Sequence, residues 1–461
     1  IMTIQEFKQS VRGKQIAVVG AGVSNLPLIE MLAECGAETC VYDKRTAEKM
    51  GDVYKKLCGL GAETVLGDGY LDKIKDGTEI VFKTPGVRFD APALKEAERN
   101  GAVISSEMEL FFETCPSKII AVTGSDGKTT TTSLIYDMLT RAGYTCHLGG
   151  NIGKPLVAEV ENIKPEDISV VELSSFQLHT MKRSADIAVV TNVTPNHLDW
   201  HTDFNEYIDA KRSVFKYQKA GGRVVLNYDN EITRGFGEGR DGAVYFSSTK
   251  QLDNGFWLKD GKIVRSAAGN AEREVLDTDT IYIPGMHNVE NYMAAAAAVE
   301  GLADDSVIRE TAVEFKGVPH RIEFVRELDG VKYYNDSIAS SPARTTAGLK
   351  SFGDKKVILI AGGYDKKIPF DDFGAVVNEH VKKLVLVGFT AEKIEAAVKN
   401  AANYNNLPIY RCDGFKEAVE KARDISESGD TVILSPACAS FDLFKNFEDR
   451  GNTFKNIVKE F

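Results

Sequence analysis

The sequence is poor in the features that mark several large functional classes. Cysteine is sparse and unpatterned: Cys35, Cys40, Cys58, Cys115, Cys146, Cys412 and Cys438 are scattered through 461 residues without a C-x-x-C spacing. An odd, dispersed set excludes a disulfide framework and a cysteine zinc site. It reads as free thiols in a reducing compartment, so a cytoplasmic location is expected. Basic excess is missing too. A formal net charge of −11 leaves no cationic stripe, so no nucleic-acid partner is expected. No apolar run is long enough to span a bilayer, and Gln5, Glu6 and Lys8 interrupt the N-terminus before a signal core forms. No membrane insertion is expected, and Ile1 ahead of Met2 reads as a processing remnant. Fixed-period repeats and low-complexity tracts are absent as well. An anionic ligand must therefore be met by local devices: helix N-termini, glycine loops and single Lys or Arg side chains.

What is present is a chain long enough for about three domains. Strand-like Val/Ile runs alternate with helical patterns, which predicts an α/β protein of doubly wound parallel sheets. The expected divisions are a Rossmann-like N-terminal domain over 1–106, a central P-loop ATPase-type domain over 107–317, and a Rossmann-like C-terminal domain over 318–461. Strands are expected at 15–19, 38–42, 80–83 and 102–105 in the first domain. In the second they fall at 118–122, 168–172 and 187–191, and in the third at 332–334, 357–361, 384–387 and 431–434. The glycine-rich, polar stretch 228–283 reads as a small antiparallel excursion, and 291–302 as an alanine-rich helix.

The strand at 118–122 feeds straight into Thr123-Gly124-Ser125-Asp126-Gly127-Lys128-Thr129-Thr130, and a helix is expected from Thr130 to Arg141. Strand, glycine loop, helix is a device for holding a triphosphate. Glycines let backbone N–H groups turn inward, and the helix N-terminus adds its positive end. Lys128 would neutralise β/γ oxygens and the Thr129 hydroxyl would ligate Mg²⁺, so ATP is the expected nucleotide. Val122 stands where the general pattern has glycine, which makes the loop a shortened variant. Glu172 ends a buried strand, the usual place for a second ligand to the nucleotide's metal ion. His197 follows another strand end, where it faces either the ligand crevice or the packed interior. Lys211, on a helical stretch, reads from composition alone as a solvated lysine.

A second glycine loop, Gly20-Ala21-Gly22-Val23-Ser24-Asn25, fits the dinucleotide fingerprint except that Asn25 replaces the third glycine. Asp43 ends the next strand, where a ribose-binding acid would sit. From this segment alone a Rossmann oxidoreductase or a nucleotide sensor stays open beside a tight turn that only packs helix on strand.

Taken together, TGSDGKTTT (123–131), ELSSFQL (172–178), NVTPNHLDWH (192–201) and PGMHNVEN (284–291) resemble the Mur ligase family along the whole chain. GVPHRIE (317–323), YNDS (334–337) and SPACASFDLFKNFEDRG (435–451) look like its D-glutamate-adding branch. The resemblance implies ATP-dependent amide formation in peptidoglycan precursor synthesis through an acyl phosphate. Its substrates would be UDP-MurNAc-L-Ala and D-glutamate, its cofactors ATP and a pair of Mg²⁺ ions, and a monomer is expected. A ligase of the same family adding a different amino acid is the alternative.

By that resemblance Gly124, Ser125, Asp126, Gly127, Lys128, Thr129 and Thr130 hold the phosphates. Thr129 and Glu172 ligate one Mg²⁺, while His197 and a carbamylated Lys211 serve a second. A carbamate needs a neutral, desolvated lysine, so Lys211 is expected to be buried. Asn288 and Asn291, one turn apart on a helix, suit the adenine or ribose, and Arg321 and Asp336 resemble nucleotide contacts. The uridine diphosphate falls to Val23, Ser24, Lys44, Arg45 and Gly86, which displaces the dinucleotide reading, with Asn151 and His197 facing the same substrate. Lys366, Ser440 and Phe447 match the D-glutamate positions, and Lys366 is able to trade places with Lys367. Ile338 stands where the family commonly has lysine, so that cation is either missing or supplied by Arg344 or Lys367.

Overall fold

Short apolar runs bounded by glycine turns build three sheets in this computed structural model, which describes residues 2–195, 200–350, 352, 357–365 and 368–461. The first sheet is wholly parallel. It comprises β1 (Gln15–Val19), β2 (Glu38–Asp43), β3 (Glu63–Leu66), β4 (Ile80–Lys83) and β5 (Val103–Ser105), in the order β3-β2-β1-β4-β5. The order reverses between β1 and β4, and in such a sheet the ligand crevice lies outside the strand C-termini at that point.

The second sheet contains β6 (Lys118–Thr123), β7 (Cys146–Gly150), β8 (Ile168–Glu172), β9 (Ile187–Val190), β10 (Arg223–Asn227), β11 (Ala243–Ser247), β12 (Gly255–Lys259), β13 (Lys262–Ser266) and β14 (Arg273–Asp277). Its order is β14-β13-β12-β11-β10-β9-β6-β8-β7. Every residue of β8 and β9 is buried, as expected of parallel strands covered on both faces. The stretch 228–283 is antiparallel only where β12, β13 and β14 pair. β11 runs parallel to β10 and β12 parallel to β11, so the antiparallel part is the outer edge of this same sheet. Asp260 and Gly261 join β12 to β13 with φ of 47° and 76°, the two left-handed residues that a tight hairpin needs. Helix Met286–Val299 packs on helix Lys128–Arg141. Its alanines 294–298 are all buried, and their small side chains allow close approach.

The third sheet comprises β15 (Glu323–Leu328), β16 (Val331–Asn335), β17 (Val357–Ala361), β18 (Val381–Leu386), β19 (Ile409–Arg411) and β20 (Thr431–Leu434), in the order β15-β16-β20-β17-β18-β19. Only β15 pairs antiparallel. Separate apolar clusters cover its two faces, around Leu359, Leu384 and Ile433 on one and Ile358, Val385 and Phe454 on the other.

The chain divides into two compact units, Ile1–Ile281 with Met286–Glu314, and Tyr282–Gly285 with Phe315–Phe461. The first two sheets share one unit because a single apolar core runs from Phe7, Leu28 and Phe82 through Phe111 and Leu156 to Val171 and Val190. Helix Glu107–Thr114 leads from the first sheet into β6 and is buried along nearly its whole length. Among the described residues, no helix is long and apolar enough to cross a membrane.

That helix begins with an acid in the core. Burial pushes the Glu107 carboxyl up to about 7, from an ordinary value of 4.5, and it accepts a hydrogen bond from Val157 N at 3.4 Å. In the unfolded chain the group ionises near 4.5, so between that value and 7 the folded state holds the extra proton. Stability therefore falls as pH rises through this window. Glu107→Gln should flatten the dependence and gain on the order of 3 kcal/mol over the parent above pH 7. Urea unfolding from pH 5 to pH 8 measures it, and parallel curves for the two proteins would contradict the assignment.

Candidate active site

β6 hands the chain directly into the phosphate-loop segment, where Gly124 and Gly127 hold φ of 152° and 78°. Both have neighbours pressed against the backbone. A Cβ on Gly124 would lie 1.9 Å from Thr191 Oγ1, and one on Gly127 would lie 2.5 Å from Asn291 Oδ1. Val122 is a fully buried strand residue paired with Glu172 of β8 and Val189 of β9, so glycine there would open a void in the sheet. The loop is held from behind by the chain after β9. Ser125 N donates to Asn192 O and Asp126 N to Asn192 Oδ1, both at 2.9 Å, while Thr191 Oγ1 donates to Asp126 O at 2.5 Å. Lys128 Nζ folds over the loop and donates to Gly124 O at 3.0 Å and Ser125 O at 2.8 Å. Thr129 and Thr130 lie buried in the first helical turn, which starts at Lys128, two residues before the expected start. Asn291 is built into the back of the loop: its Oδ1 accepts from Thr131 Oγ1 at 3.1 Å and its Nδ2 donates to Asn288 Oδ1 at 3.2 Å.

β8 lies beside β6, and this brings Glu172 to the loop from nearly fifty residues away in sequence. The side chain is 1% exposed. Asn151, just beyond β7, donates its Nδ2 to Glu172 Oε1 at 2.8 Å. Glu172 Oε2 is buried without a hydrogen-bond partner among the described residues. An unsatisfied buried carboxylate oxygen is costly, and a divalent cation is the ligand that removes the cost. The donor set at the loop therefore fits Mg²⁺.

Lys211 corrects the reading from composition: it is 1% exposed, on the inner face of helix Phe204–Lys216. Its Nζ donates to Gly124 O at 2.8 Å and approaches Thr123 Oγ1 at 3.4 Å. It lies 4.6 Å from the centre of the Tyr207 ring, and Tyr207 OH is 2.9 Å from Ser125 Oγ. Burial, and after it the charge of Lys128, hold the Lys211 ammonium well below the ordinary lysine value, a shift toward the neutral amine. Phosphate loop, Glu172, Asn151, Lys211 and Asn291 thus meet in one place. His197, Lys366 and Lys367 lie outside the described residues.

At the first sheet's crevice, the loops after β1 and β4 face each other. A Cβ on Gly20 would sit 3.0 Å from Thr84 Cγ2. Asn25, in the place of the third glycine, closes its own turn by donating Nδ2 to Val19 O and Gly20 O. The ribose role for Asp43 does not survive. Its carboxylate accepts from Ala21 N at 2.9 Å, Arg45 N at 2.9 Å, Arg45 Nε at 2.9 Å and Arg45 NH2 at 2.7 Å. Val23 is 82% exposed, Lys44 and Gly86 are exposed and Ser24 is half-buried; all border that edge.

In the second unit β20 lies between β16 and β17, so the loops carrying Asp336, Ser440 and Gly362 leave one edge together. Asp336 is wholly buried, accepts from Ser435 Oγ at 2.7 Å and Ile322 N at 3.2 Å, and is pushed up to about 7 by that burial. Arg321 stands between His320 and Ile322, both at positive φ, and its charge acts on Asp336. Ser440 is buried, and Phe447 opens helix Phe447–Glu460 with its carbonyl accepting from Ser337 Oγ at 2.8 Å. Arg344 donates to Ile338 O at 3.3 Å. Buried Arg450, not singled out from the sequence, donates to Ser337 O, Cys438 O and Ala439 O and so braces the loop bearing Ser440. Tyr207 was missed too. The one signal for it is its place one helical turn before Lys211.

Family models match in three consecutive stretches: the Mur ligase MurD-like N-terminal domain over residues 14–106, the Mur ligase middle domain over 122–299, and the Mur ligase glutamate ligase domain over 320–438. The chain is 53% identical over 460 residues to a UDP-N-acetylmuramoylalanine–D-glutamate ligase of Acetivibrio thermocellus, covering 99% of this chain and 98% of that one. Among solved structures it is similar to UDP-N-acetylmuramate-alanine ligase MurC of Thermotoga maritima, with a TM-score of 0.58 and 19% identity over 97% of this chain and 99% of the other. MurF ligase of the same organism, solved in complex with ADP, gives a TM-score of 0.56 and 17% identity over 100% and 97%. At these identities the structural likeness concerns the fold.

The crowding at Gly124 yields a test. Gly124→Ala should lower ATP affinity at least ~100-fold and destabilise the protein by about 2 kcal/mol, since the added carbon meets Thr191 in a left-handed backbone. Gly22→Ala, with open space around its Cβ, should leave both unchanged. Calorimetric titration with ATP and thermal unfolding read the two variants.

Proposed function

The chain belongs to the Mur ligase family, and from that premise we propose that the phosphate loop, Glu172 and Lys211 form one centre for activating a carboxylate with ATP. The reaction is ATP-dependent amide formation between UDP-N-acetylmuramoyl-L-alanine and D-glutamate, a step of peptidoglycan precursor synthesis. The observation that carries the site is the buried amine of Lys211 at the loop carbonyl, close enough to Glu172 for its charge to be felt.

A carboxylate is a poor acyl donor at neutral pH. Its oxygen therefore attacks the γ-phosphorus of ATP, the bond to the β,γ-bridging oxygen breaks, and ADP leaves. The amine of D-glutamate then adds to the acyl carbon, loses a proton, and the tetrahedral species collapses to amide and inorganic phosphate. The loop amides from Gly124 to Thr130 hold the phosphates. Lys128, released from the loop carbonyls, reaches the β/γ oxygens. Thr129 and Glu172 would hold one Mg²⁺, and His197 with Lys211 the second. Bound there, the metal offsets repulsion between the anionic nucleophile and the γ-phosphate. For the second site the neutral Lys211 amine adds to CO₂ and sheds a proton, giving a carbamate.

Val23, Ser24, Lys44, Arg45 and Gly86 would take the uridine diphosphate at the first sheet's crevice, with Asn151 facing the same substrate. Asn288, Asn291, Arg321 and Asp336 would serve the nucleotide. D-Glutamate would be held by Lys366, Ser440 and Phe447, with Arg344 or Lys367 in place of the lysine that Ile338 replaces.

Two measurements test this reading. Purified protein should release phosphate only when ATP, Mg²⁺, UDP-MurNAc-L-Ala and D-glutamate are all present; equal turnover with L-alanine, L-lysine or meso-diaminopimelate would overturn the amino-acid assignment. Lys211→Ala should reduce turnover on the order of 10³-fold. Short-chain carboxylic acids should restore part of it by standing in for the carbamate, and bicarbonate should not. Unimpaired turnover in Lys211→Ala would remove the residue from the mechanism.

A further inference from the structure

The turn after β4 in the first sheet and helix Phe204–Lys216 of the second are fastened to each other by a single arginine. Arg88 donates through NH1 and NH2 to Glu206 Oε1 and Oε2 at 2.9 Å and 3.1 Å. The same guanidinium donates to both oxygens of Asp90, each at 2.8 Å, and to Trp200 O at 2.8 Å. Trp200 returns the contact, donating Nε1 to Gly86 O at 3.3 Å, and its ring lies 5.0 Å from the guanidinium carbon. A guanidinium shared between two carboxylates and stacked on an indole is fixed in plane and direction.

Glu206 is the hub. Besides Arg88 it accepts from Thr202 Oγ1 at 2.6 Å, and its Oε1 lies 3.1 Å from His179 Nε2 and 3.0 Å from His201 Nδ1. Arg88 holds its carboxyl well below the usual carboxylate range, while burial lowers both imidazoles. His201 carries the order onward. Its Nε2 is 3.0 Å from Ser175 Oγ, three residues past Glu172, and its ring stands edge-on to Tyr207 at 5.3 Å. Tyr207 in turn touches Ser125 of the phosphate loop and lies under Lys211. His179, His201 and Glu206 also bring potential metal-ligand atoms within 4.8 Å of one another. The carboxylate is already bonded through both oxygens to a fixed cation, so the cluster suits a hydrogen-bonded hub and not a metal centre.

We propose that Arg88 and Glu206 are positioning residues: they register the uridine-diphosphate turn at Gly86 against the wall formed by His201, Tyr207 and Lys211, and so set the distance between the bound substrate's carboxylate and the phosphate loop. The proposal rests on the substrate assignment above. A nucleotide-sugar substrate anchored on one sheet and reacting beside another needs the two loops held in fixed register, because small misplacements of reacting groups cost large factors in rate.

The test compares Arg88→Met, Glu206→Gln and the double variant with the parent by phosphate release. Each single change should raise KM for UDP-MurNAc-L-Ala about tenfold and lower kcat, with KM for ATP within about twofold of the parent. The double variant should be no worse than the more impaired single, because both break one link. Arg88→Lys, which keeps the charge without the fork, should fall between parent and Arg88→Met and serves if the methionine variant does not fold. A second reading uses the indole at the clamp: with Trp257→Phe removing the other tryptophan, UDP should shift Trp200 emission in the parent and by less in Arg88→Lys. Multiplying losses in the double variant, an unchanged KM for UDP-MurNAc-L-Ala, or a UDP-induced shift as large in Arg88→Lys as in the parent would overturn the proposal. A parent protein that releases no phosphate with the four components would instead overturn the substrate assignment on which it rests.

Discussion

The parallel pairing of β6 with β8 on one side and β9 on the other is the constraint from which the site follows. Val122 sits opposite both Glu172 and Val189, Leu173 N donates to Val122 O, and Thr191 N donates to Thr123 O. Three chain segments therefore leave the sheet side by side at one edge. Side chains alternate along a strand, so a register slip of one residue would turn Glu172 to the opposite face of the sheet. The glycines follow from the same crowding. With Thr191 and Asn291 pressed against the loop, only a residue without Cβ fits at Gly124 and Gly127.

Charge is arranged around that edge by burial as much as by pairing. Lys211 and Lys128 both reach the loop carbonyls, and Lys211, the wholly enclosed one, is driven toward its neutral form. Glu172 retains an oxygen without a hydrogen-bond partner among the described residues in the same region. A desolvated amine and a partly unsatisfied carboxylate beside a phosphate loop are unfavourable in isolation, and such groups concentrate where ligands complete them. The first sheet solves the opposite problem. Asp43 fixes the Arg45 guanidinium and pins the backbone of the glycine turn, with Lys44, Ser24 and Val23 beside it at the rim.

Much of the framework was legible because buried parallel strands announce themselves. β1, β4, β8, β17 and β20 are short Val/Ile-rich runs, and their observed limits match those expected from the sequence. β3, β7, β15 and β19 were not legible, for particular reasons. β7 reads Cys-His-Leu-Gly-Gly, with no β-branched residue, and β15 carries Glu323, Arg326 and Glu327 along a sheet edge. β19 has only three residues. The helix after the phosphate loop begins at Lys128 because Gly127 takes the left-handed conformation that lets the chain turn into it at once.

The sequence by itself determined the phosphate loop, the α/β class and, through its joined motifs, the family, because these depend on local spacing: glycine positions, strand-sized apolar runs and the residues that follow them. Only the tertiary structure decided which charges are free to act. Lys211 looks like any helical lysine until Tyr207, the β6 strand end and the loop carbonyl enclose it. Asp43 looks like a ribose ligand until Arg45 takes its oxygens. Arg88 and Glu206, 118 residues apart, have no pattern linking them until the two sheets share a core. Burial and hydrogen-bond saturation are properties of what surrounds a side chain, and that is set by strand order and packing rather than by sequence neighbours.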